Sequence, residues 1–444
     1  MSWGLGDWGL GREAISAEEP SSAVGAPRPS PQSLSPQSLL QMSWRDDLLG
    51  VFGELAWQAR RTAGAIGRAI DRDPIQIVGY RGFGTADRAL VLGRVLQDEG
   101  VRAPHATQSR WRNLLATLRR IESDPLPFAR VRAKLAGRGD SAHTEIVADG
   151  EGFLRHWLTA PGALTPSGWH TVSLDLADAP NGHPVRATAQ VLAPAPTATF
   201  GVVSDMDDTV LQSEVTSFLR AARMVLLENA LTRLPFPGVA AFYRALDRGA
   251  TGAEANPIFY VSSSPWNLYD VIDGFLEAQR IPTGPLLLRD WDLGKLNERH
   301  TRHKGVVIRE IFDTYPELPF LLVGDSGQED PEIYTELVRE RPGRVKAVYI
   351  RNVSTNPERS QRIQALAREV AEAGSTLVLA DDTLAVARHA AMHGWIASEA
   401  LDEIGGEKRD DEGATGAKAN APGVDTKPAP TVVVDPDVSA DDVS

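Results

Sequence analysis

The chain has 444 residues with a formal net charge of −13, 42% hydrophobic and 24% charged residues, and no cysteine. This length allows two or three domains with real cores, and the composition excludes a wholly disordered or fibrous chain. Without cysteine there are no disulfides, no thiolate chemistry and no cysteine metal sites, and no stretch reaches the ~18 apolar residues of a spanning helix.

Residues 1–43 are rich in Ser, Pro, Gly and Gln and are expected to be disordered. The start lacks a basic segment followed by an apolar one, so no secretory signal is expected. Together with the missing disulfides this points to the cytoplasm, with peripheral contact at the inner membrane surface.

From Trp44 to Ile70 the spacing of Leu48, Leu49, Phe52, Leu55, Ala59 and Ile66 predicts an amphipathic helix carrying Arg60, Arg61 and Arg68. Seven short strands follow: 75–80, 89–95, 129–135, 143–147, 152–158, 170–176 and 185–192. A helix over 107–121 interrupts them. Their number and turn spacing predict a β-sandwich-like domain over 44–195. The glycines of Gly79-Tyr80-Arg81-Gly82-Phe83-Gly84 read as turn glycines, because no βαβ unit surrounds them.

Charge is unevenly spread. Residues 102–138 hold nine bases and two acids, a patch that would attract a polyanion or simply form a solvated face. Residues 399–444 hold twelve acids and four bases, and are expected to form an acidic disordered tail.

Over 196–398 the rhythm changes to apolar strands (200–204, 258–262, 320–324, 345–350, 376–380) alternating with helical stretches (213–231, 267–280, 305–313, 331–340, 359–373, 382–394). This alternation predicts an α/β domain built on a doubly wound parallel sheet, with chemistry at the carboxyl ends of its strands.

Four segments carry chemistry. The first strand ends in Asp205-Met206-Asp207-Asp208-Thr209, three acids in four residues, which repel unless a cation lies between them. The second ends in Ser262-Ser263-Ser264-Pro265-Trp266, hydroxyls suited to phosphoryl oxygens or to helix capping. His303-Lys304 opens the helical stretch 305–312, where a lysine opposes the helix dipole unless an anion sits beside it. The last is Gly324-Asp325-Ser326-Gly327-Gln328-Glu329-Asp330. His300 and His303 could reach one metal, but no third imidazole or thiolate is near, so zinc is set aside.

In this order the segments resemble the haloacid dehalogenase superfamily. The words DMDDT, YVSSSPWNLY, GPLLLRDW, HK and GDSGQEDPEIY resemble the catalytic domain of the actin-patch-protein type of phosphatidate phosphatases, over 196–395. The upstream YRGFGTADRALVLGRVL resembles the segment preceding that domain in bacterial relatives, while Met206 and Ser263 depart from the pattern. The resemblance implies a Mg²⁺-dependent phosphatase whose substrate is a lipid phosphate such as phosphatidate.

Asp205 is placed to attack phosphorus and form an aspartyl-phosphate, and Asp207 to act as acid and then base. The resemblance implies Mg²⁺ on Asp205, the Asp207 carbonyl and Asp325, with Asp330 supporting the metal and Glu329 competing for that role. It also places Ser262 and Lys304 on phosphoryl oxygens and gives Thr209 the task of fixing the loop after Asp207. Asp208 either ties down that loop or touches the metal shell.

Ser263 and Trp266 are candidate substrate contacts, and Trp266, Trp291 and Phe236 are expected at the cleft mouth. The insertions 210–257 and 263–303 are too short for a lid domain, so an open cleft and a bulky substrate are expected. Two other readings stand beside this one. The first is a nucleotide or nucleic-acid-end phosphatase, suggested by the basic segment; the second is a non-catalytic lipid-binding or scaffold protein with a vestigial site.

Overall fold

The structure, a computed structural model, describes residues 75–97, 125–135, 143–159, 162, 164, 167–179, 183–206, 237–289, 300–354, 356–416 and 432–434. The helices expected at 44–70, 107–121 and 213–231 lie outside these residues, as do Asp207, Asp208, Thr209, Phe236 and Trp291.

The N-terminal strands are β1 (Ile75–Thr85), β2 (Arg88–Gln97), β3 (Arg130–Leu135), β4 (Thr144–Val147), β5 (Phe153–Thr159), β6 (Gly168–Leu176) and β7 (Arg186–Ala193). In β3 the period of two is plain: Arg130, Arg132 and Lys134 face out while Val131, Ala133 and Leu135 are buried.

The expected sandwich of two facing sheets is corrected. The seven strands form one sheet in the order β4-β3-β6-β7-β1-β2-β5, and it is mixed, because β1 pairs antiparallel with β2 but parallel with β7. Its two edges return toward each other beside the 148–152 turn, where Asp149 N–H donates to the Phe153 carbonyl (2.9 Å) and Ala148 N–H to the Ala129 carbonyl (2.8 Å). The sheet is therefore curled nearly into a barrel around Val91, Val131, Leu154, Val172, Leu174 and Val191.

The glycines at 79, 82 and 84 are strand residues rather than turn residues. A Cβ on Gly82 would stand 1.9 Å from the Leu90 carbonyl oxygen, and one on Gly79 would stand 2.2 Å from that of Thr188. Their bare backbones let β1 pass between β2 and β7 where its register shifts, between Tyr80 and Gly84.

The second sheet contains β8 (Gly201–Asp205), β9 (Ile258–Pro265), β10 (Leu286–Arg289), β11 (Phe320–Asp325), β12 (Val345–Arg351), β13 (Thr376–Ala380) and β14 (Val432–Val434), in the order β10-β9-β8-β11-β12-β13-β14. Strands β10, β9, β8, β11, β12 and β13 pair parallel, and β14, from the tail, adds an antiparallel edge beside β13. Strands β8 and β11 are buried along their whole length, which explains their continuous apolar runs.

The helices are α1 (Val239–Arg248), α2 (Tyr269–Ala278), α3 (His300–Thr314), α4 (Asp330–Glu340), α5 (Pro357–Glu372), α6 (Thr383–Met392) and α7 (Ala400–Gly416). Helix α7 corrects the reading of residues 399–444 as a tail without structure. Its Ile404 is fully buried, and its acids serve α1, which starts without a capping side chain of its own. Asp411 accepts from Gly238 N–H (2.9 Å) and Glu407 from Ala241 N–H (2.7 Å). Arg244 reaches Glu403 (3.0 Å) and Glu407 (2.6 Å).

The outer faces of β1 and β2 join the core of the second sheet through Tyr80, Phe83, Leu90 and Leu92. Phe83 meets Trp157, Phe259 and Tyr315 with ring centroids 5.6–6.1 Å apart, and the Tyr315 hydroxyl donates to the Gly84 carbonyl (3.0 Å). Among the described residues, no helix is long and apolar enough to cross a membrane.

Candidate active site

Strand β8 delivers Asp205 at its carboxyl end, and its neighbours deliver the rest. Asp205 is in register with Val261 of β9, so Ser262 is the next residue along the adjacent strand. On the other side Ser204 pairs with Val323 of β11, which brings Gly324 and Asp325 to the same end of the sheet. Asp205, Ser262 and Asp325 are all buried.

Gly324 is required by close approach. A Cβ there would lie 2.7 Å from Asp330 Oδ2 and 2.9 Å from the Tyr334 ring. The turn after β11 then folds back so that α4 begins with Asp330. Gly327 N–H (2.6 Å) and Gln328 N–H (3.0 Å) donate to Asp325 Oδ1, while Asp325 N–H donates to Asp330 Oδ2 (3.3 Å).

Lys304 completes the cluster. Its Nζ lies 2.6 Å from Asp205 Oδ1 and 2.8 Å from Asp330 Oδ1, and donates to Gln328 Oε1 (3.1 Å). Its side chain is 4% exposed, so these charges face each other with little water between them. The helix-dipole argument for this lysine is corrected: α3 starts at His300, which puts Lys304 in its second turn. The carboxylates, not the helix start, set its environment.

Asp205, Asp325 and Asp330 each offer an oxygen within 4.8 Å of the others. Like charges at that separation repel by roughly 3 kcal/mol per pair at a protein-like dielectric. Three carboxylates against one ammonium leave two formal negative charges in this cluster, which one divalent cation would neutralise. An all-oxygen carboxylate set is the kind Mg²⁺ prefers, so these residues fit such an ion. Asp330, not Glu329, enters the cluster: Asp330 is fully buried and Glu329 is exposed.

The other expected site residues divide. Ser262 Oγ accepts from Ser264 N–H (2.9 Å) near the end of β9, beside Asp205, and Ser263 is half-buried there. Trp266 is a correction. Its indole is buried and stacks on Tyr80 (4.8 Å) and Tyr269 (5.9 Å), so it packs between the two sheets instead of lining a cleft mouth. His303, beside Lys304, is half-buried, and its loss of hydration lowers its pKa to about 4, leaving a neutral ring.

Sequence reasoning missed Gln328, Tyr243 and Arg359. Tyr243 holds Ser204 Oγ at 2.6 Å, one residue before Asp205, and burial pushes its phenol up. Gln328 stood inside a recognised word but carried no charge to single it out. Tyr243 and Arg359 reach the site from helices whose sequences bear no motif.

With this geometry in place, the relatives become informative. Residues 200–352 match the family described as "Phosphatidate phosphatase APP1, catalytic domain". The match contains Asp205, Ser262, Lys304, Asp325 and Asp330, and it bears out the resemblance read from the sequence words.

The protein named phosphatidate phosphatase APP1 of Saccharomyces cerevisiae is 29% identical over 160 residues, 35% of this chain and 26% of that one. An uncharacterized protein of Schizosaccharomyces pombe is 26% identical over the same shares. The match thus spans about a quarter of the length of these relatives.

Among solved structures, a putative α-galactosidase of Bacteroides fragilis (7% identity, TM-score 0.18, covering 69% of this chain and 52% of that one) is similar only weakly. The same holds for a β-glucuronidase of Bifidobacterium dentium (12%, 0.21, 78% and 58%). The expected doubly wound, haloacid-dehalogenase-like fold class is corrected by the sheets themselves: the first is mixed and curled nearly into a barrel, and the second carries an antiparallel edge strand.

Proposed function

We propose that this chain is a Mg²⁺-dependent phosphomonoesterase acting on a lipid phosphate, with phosphatidate as the substrate suggested by the APP1 match. One observation carries the reading: Asp205 converges with Asp325, Asp330 and Lys304 in a buried cluster at the carboxyl ends of adjacent strands.

In this reading Asp205, Asp325 and Asp330 would hold the cation. When bound, it supplies positive charge that draws a phosphoryl group in and offsets the negative charge developing in the transition state. Asp205 is the nucleophile. Its carboxylate forms a bond to phosphorus as the bond to the leaving alkoxide breaks, giving an aspartyl-phosphate. Lys304 steers one Asp205 oxygen and lies where it can also meet phosphoryl oxygens.

Asp207, outside the described residues, is two positions on in sequence. It is the proposed donor of a proton to the alkoxide and the later acceptor of one from the hydrolytic water. Ser262, on the strand beside Asp205, contributes a hydroxyl toward the phosphoryl group.

The test is phosphate release from phosphatidate vesicles, nucleotides and 3′- or 5′-phosphorylated oligonucleotides, each with Mg²⁺ and with EDTA. Release from the vesicles that needs Mg²⁺ and vanishes in Asp205→Asn supports the proposal. Release confined to nucleotides or oligonucleotides would move the substrate to nucleic-acid chemistry. Equal, slow release by parent and Asp205→Asn would leave a binding protein with a vestigial site.

A further inference from the structure

The turn whose amides hold the Asp325 carboxylate is itself held by an arginine of α5. Asp325 Oδ1 accepts from the amides of Gly327 and Gln328. On the far side of the same turn, the carbonyls of Ser326 and Gln328 point at the guanidinium of Arg359, in the first turn of α5. Arg359 Nε donates to the Ser326 carbonyl at 2.8 Å and Nη2 to that of Gln328. Glu332 on α4 accepts from two more of its donors, one on Nη1 and one on Nη2 (2.9 Å).

The Ser326 carbonyl and the Gly327 amide belong to one peptide unit. That unit links the guanidinium to the Asp325 carboxylate through two hydrogen bonds in line. Each bond polarises the other, so positive charge on Arg359 strengthens the donor that fixes Asp325. The planar fork of arginine suits this task, spanning two carbonyls and a carboxylate at once, which a lysine ammonium on its flexible stem does not do. Arg359 is 15% exposed and lies outside residues 200–352.

We propose that Arg359 is a positioning residue that holds the 326–329 turn so that Asp325 presents its second oxygen to a divalent cation. This rests on the reading of the carboxylate cluster as a metal site. Arg359 acts on the metal ligand and leaves the phosphoryl contacts alone.

Arg359→Lys and Arg359→Ala, in the full chain, are to be titrated with Mg²⁺ by calorimetry. They are also to be followed by hydrogen exchange at the Gly327 and Gln328 amides without metal. The expected result is an affinity for Mg²⁺ lower by about tenfold, the scale seen when partners of metal ligands are removed. Faster exchange at those two amides should accompany it, and the KM for substrate at saturating Mg²⁺ should change little. Guanidinium ion below denaturing concentration should restore Mg²⁺ affinity to Arg359→Ala.

Unchanged affinity together with unchanged exchange overturns the proposal, as does a loss in KM alone. If Arg359→Ala does not fold, Arg359→Lys, which keeps the charge, decides. A parent chain that takes up no Mg²⁺ overturns the metal reading instead, while the exchange data still decide whether Arg359 holds the turn.

Discussion

Lys304 Nζ lies 2.6 Å from Asp205 Oδ1, an ammonium from a helix meeting a carboxylate from the strand end it faces. It also serves Asp330, so its loss strands two buried anions. Lys304→Met should cost about 3–5 kcal/mol, the scale for breaking a buried pair from one side. Urea unfolding would measure this, and added Mg²⁺ should recover part of the loss. A variant as stable as the parent would mean that the carboxylates are neutral or otherwise paired.

Gly324 leaves room for Asp330 and Tyr334. Gly324→Ala should push Asp330 out of the cluster, costing about 1–3 kcal/mol through overpacking. Mg²⁺ affinity should fall with stability, and calorimetric titration beside thermal unfolding would show both. A stable variant with full Mg²⁺ affinity would place Asp330 outside the metal set.

Metal itself should stabilise the fold. An ion that binds only the folded chain adds about 2.7 kcal/mol at one hundred times its dissociation constant. Thermal unfolding in Mg²⁺ and in EDTA should therefore differ by several degrees in the parent, and by much less in Asp325→Asn.

The half-buried imidazole of His303 predicts an acid sensitivity. Its pKa falls from an ordinary 6.5 to about 4 on folding, because burial disfavours the imidazolium. The unfolded chain thus takes up a proton below pH 6.5 that the folded chain refuses until about pH 4. This contribution to stability is intact above that window and declines through it as pH falls, by at most about 3 kcal/mol. His303→Gln should flatten the stability curve between those limits; an unaltered curve would assign the acid sensitivity to other groups.

Helix α7 should matter to the fold. Ending the chain at residue 399 removes the carboxylates that satisfy Gly238 and Ala241 amides, and it exposes the site filled by Ile404. Glu407→Ala alone should cost ~1 kcal/mol, the worth of a helix cap. Denaturant midpoints for both variants are the check, and parent-like midpoints would mean that α7 is dispensable.

Much of this was legible in the residues. Apolar runs such as FGVVS and FLLVG marked strands buried on both faces, and their terminal acids marked the cluster. What escaped was tertiary. Helix α7 has two adjacent glycines and a weak apolar stripe, and it is held by carboxylates reaching another helix, which no periodicity records. Strand β10, only Leu286–Arg289, is too short to stand out as more than a word. The glycines around Tyr80 looked like turn chemistry, whereas what they supply is space for neighbouring backbone, which leaves the same residue type in the sequence. Trp266 stood beside serines at a strand end, so it looked like a ligand contact, yet its ring fills the seam between the sheets.

That seam sets a practical boundary on dissection. Trimming the chain to 200–352 would strip Tyr80, Phe83 and Leu92 from the aromatic surface formed by Phe259, Trp266, Tyr269 and Tyr315. The fragment would enter water with a raft of bare rings and tend to clump. Expression trials that aim for a minimal fragment should keep the curled sheet as its permanent cover.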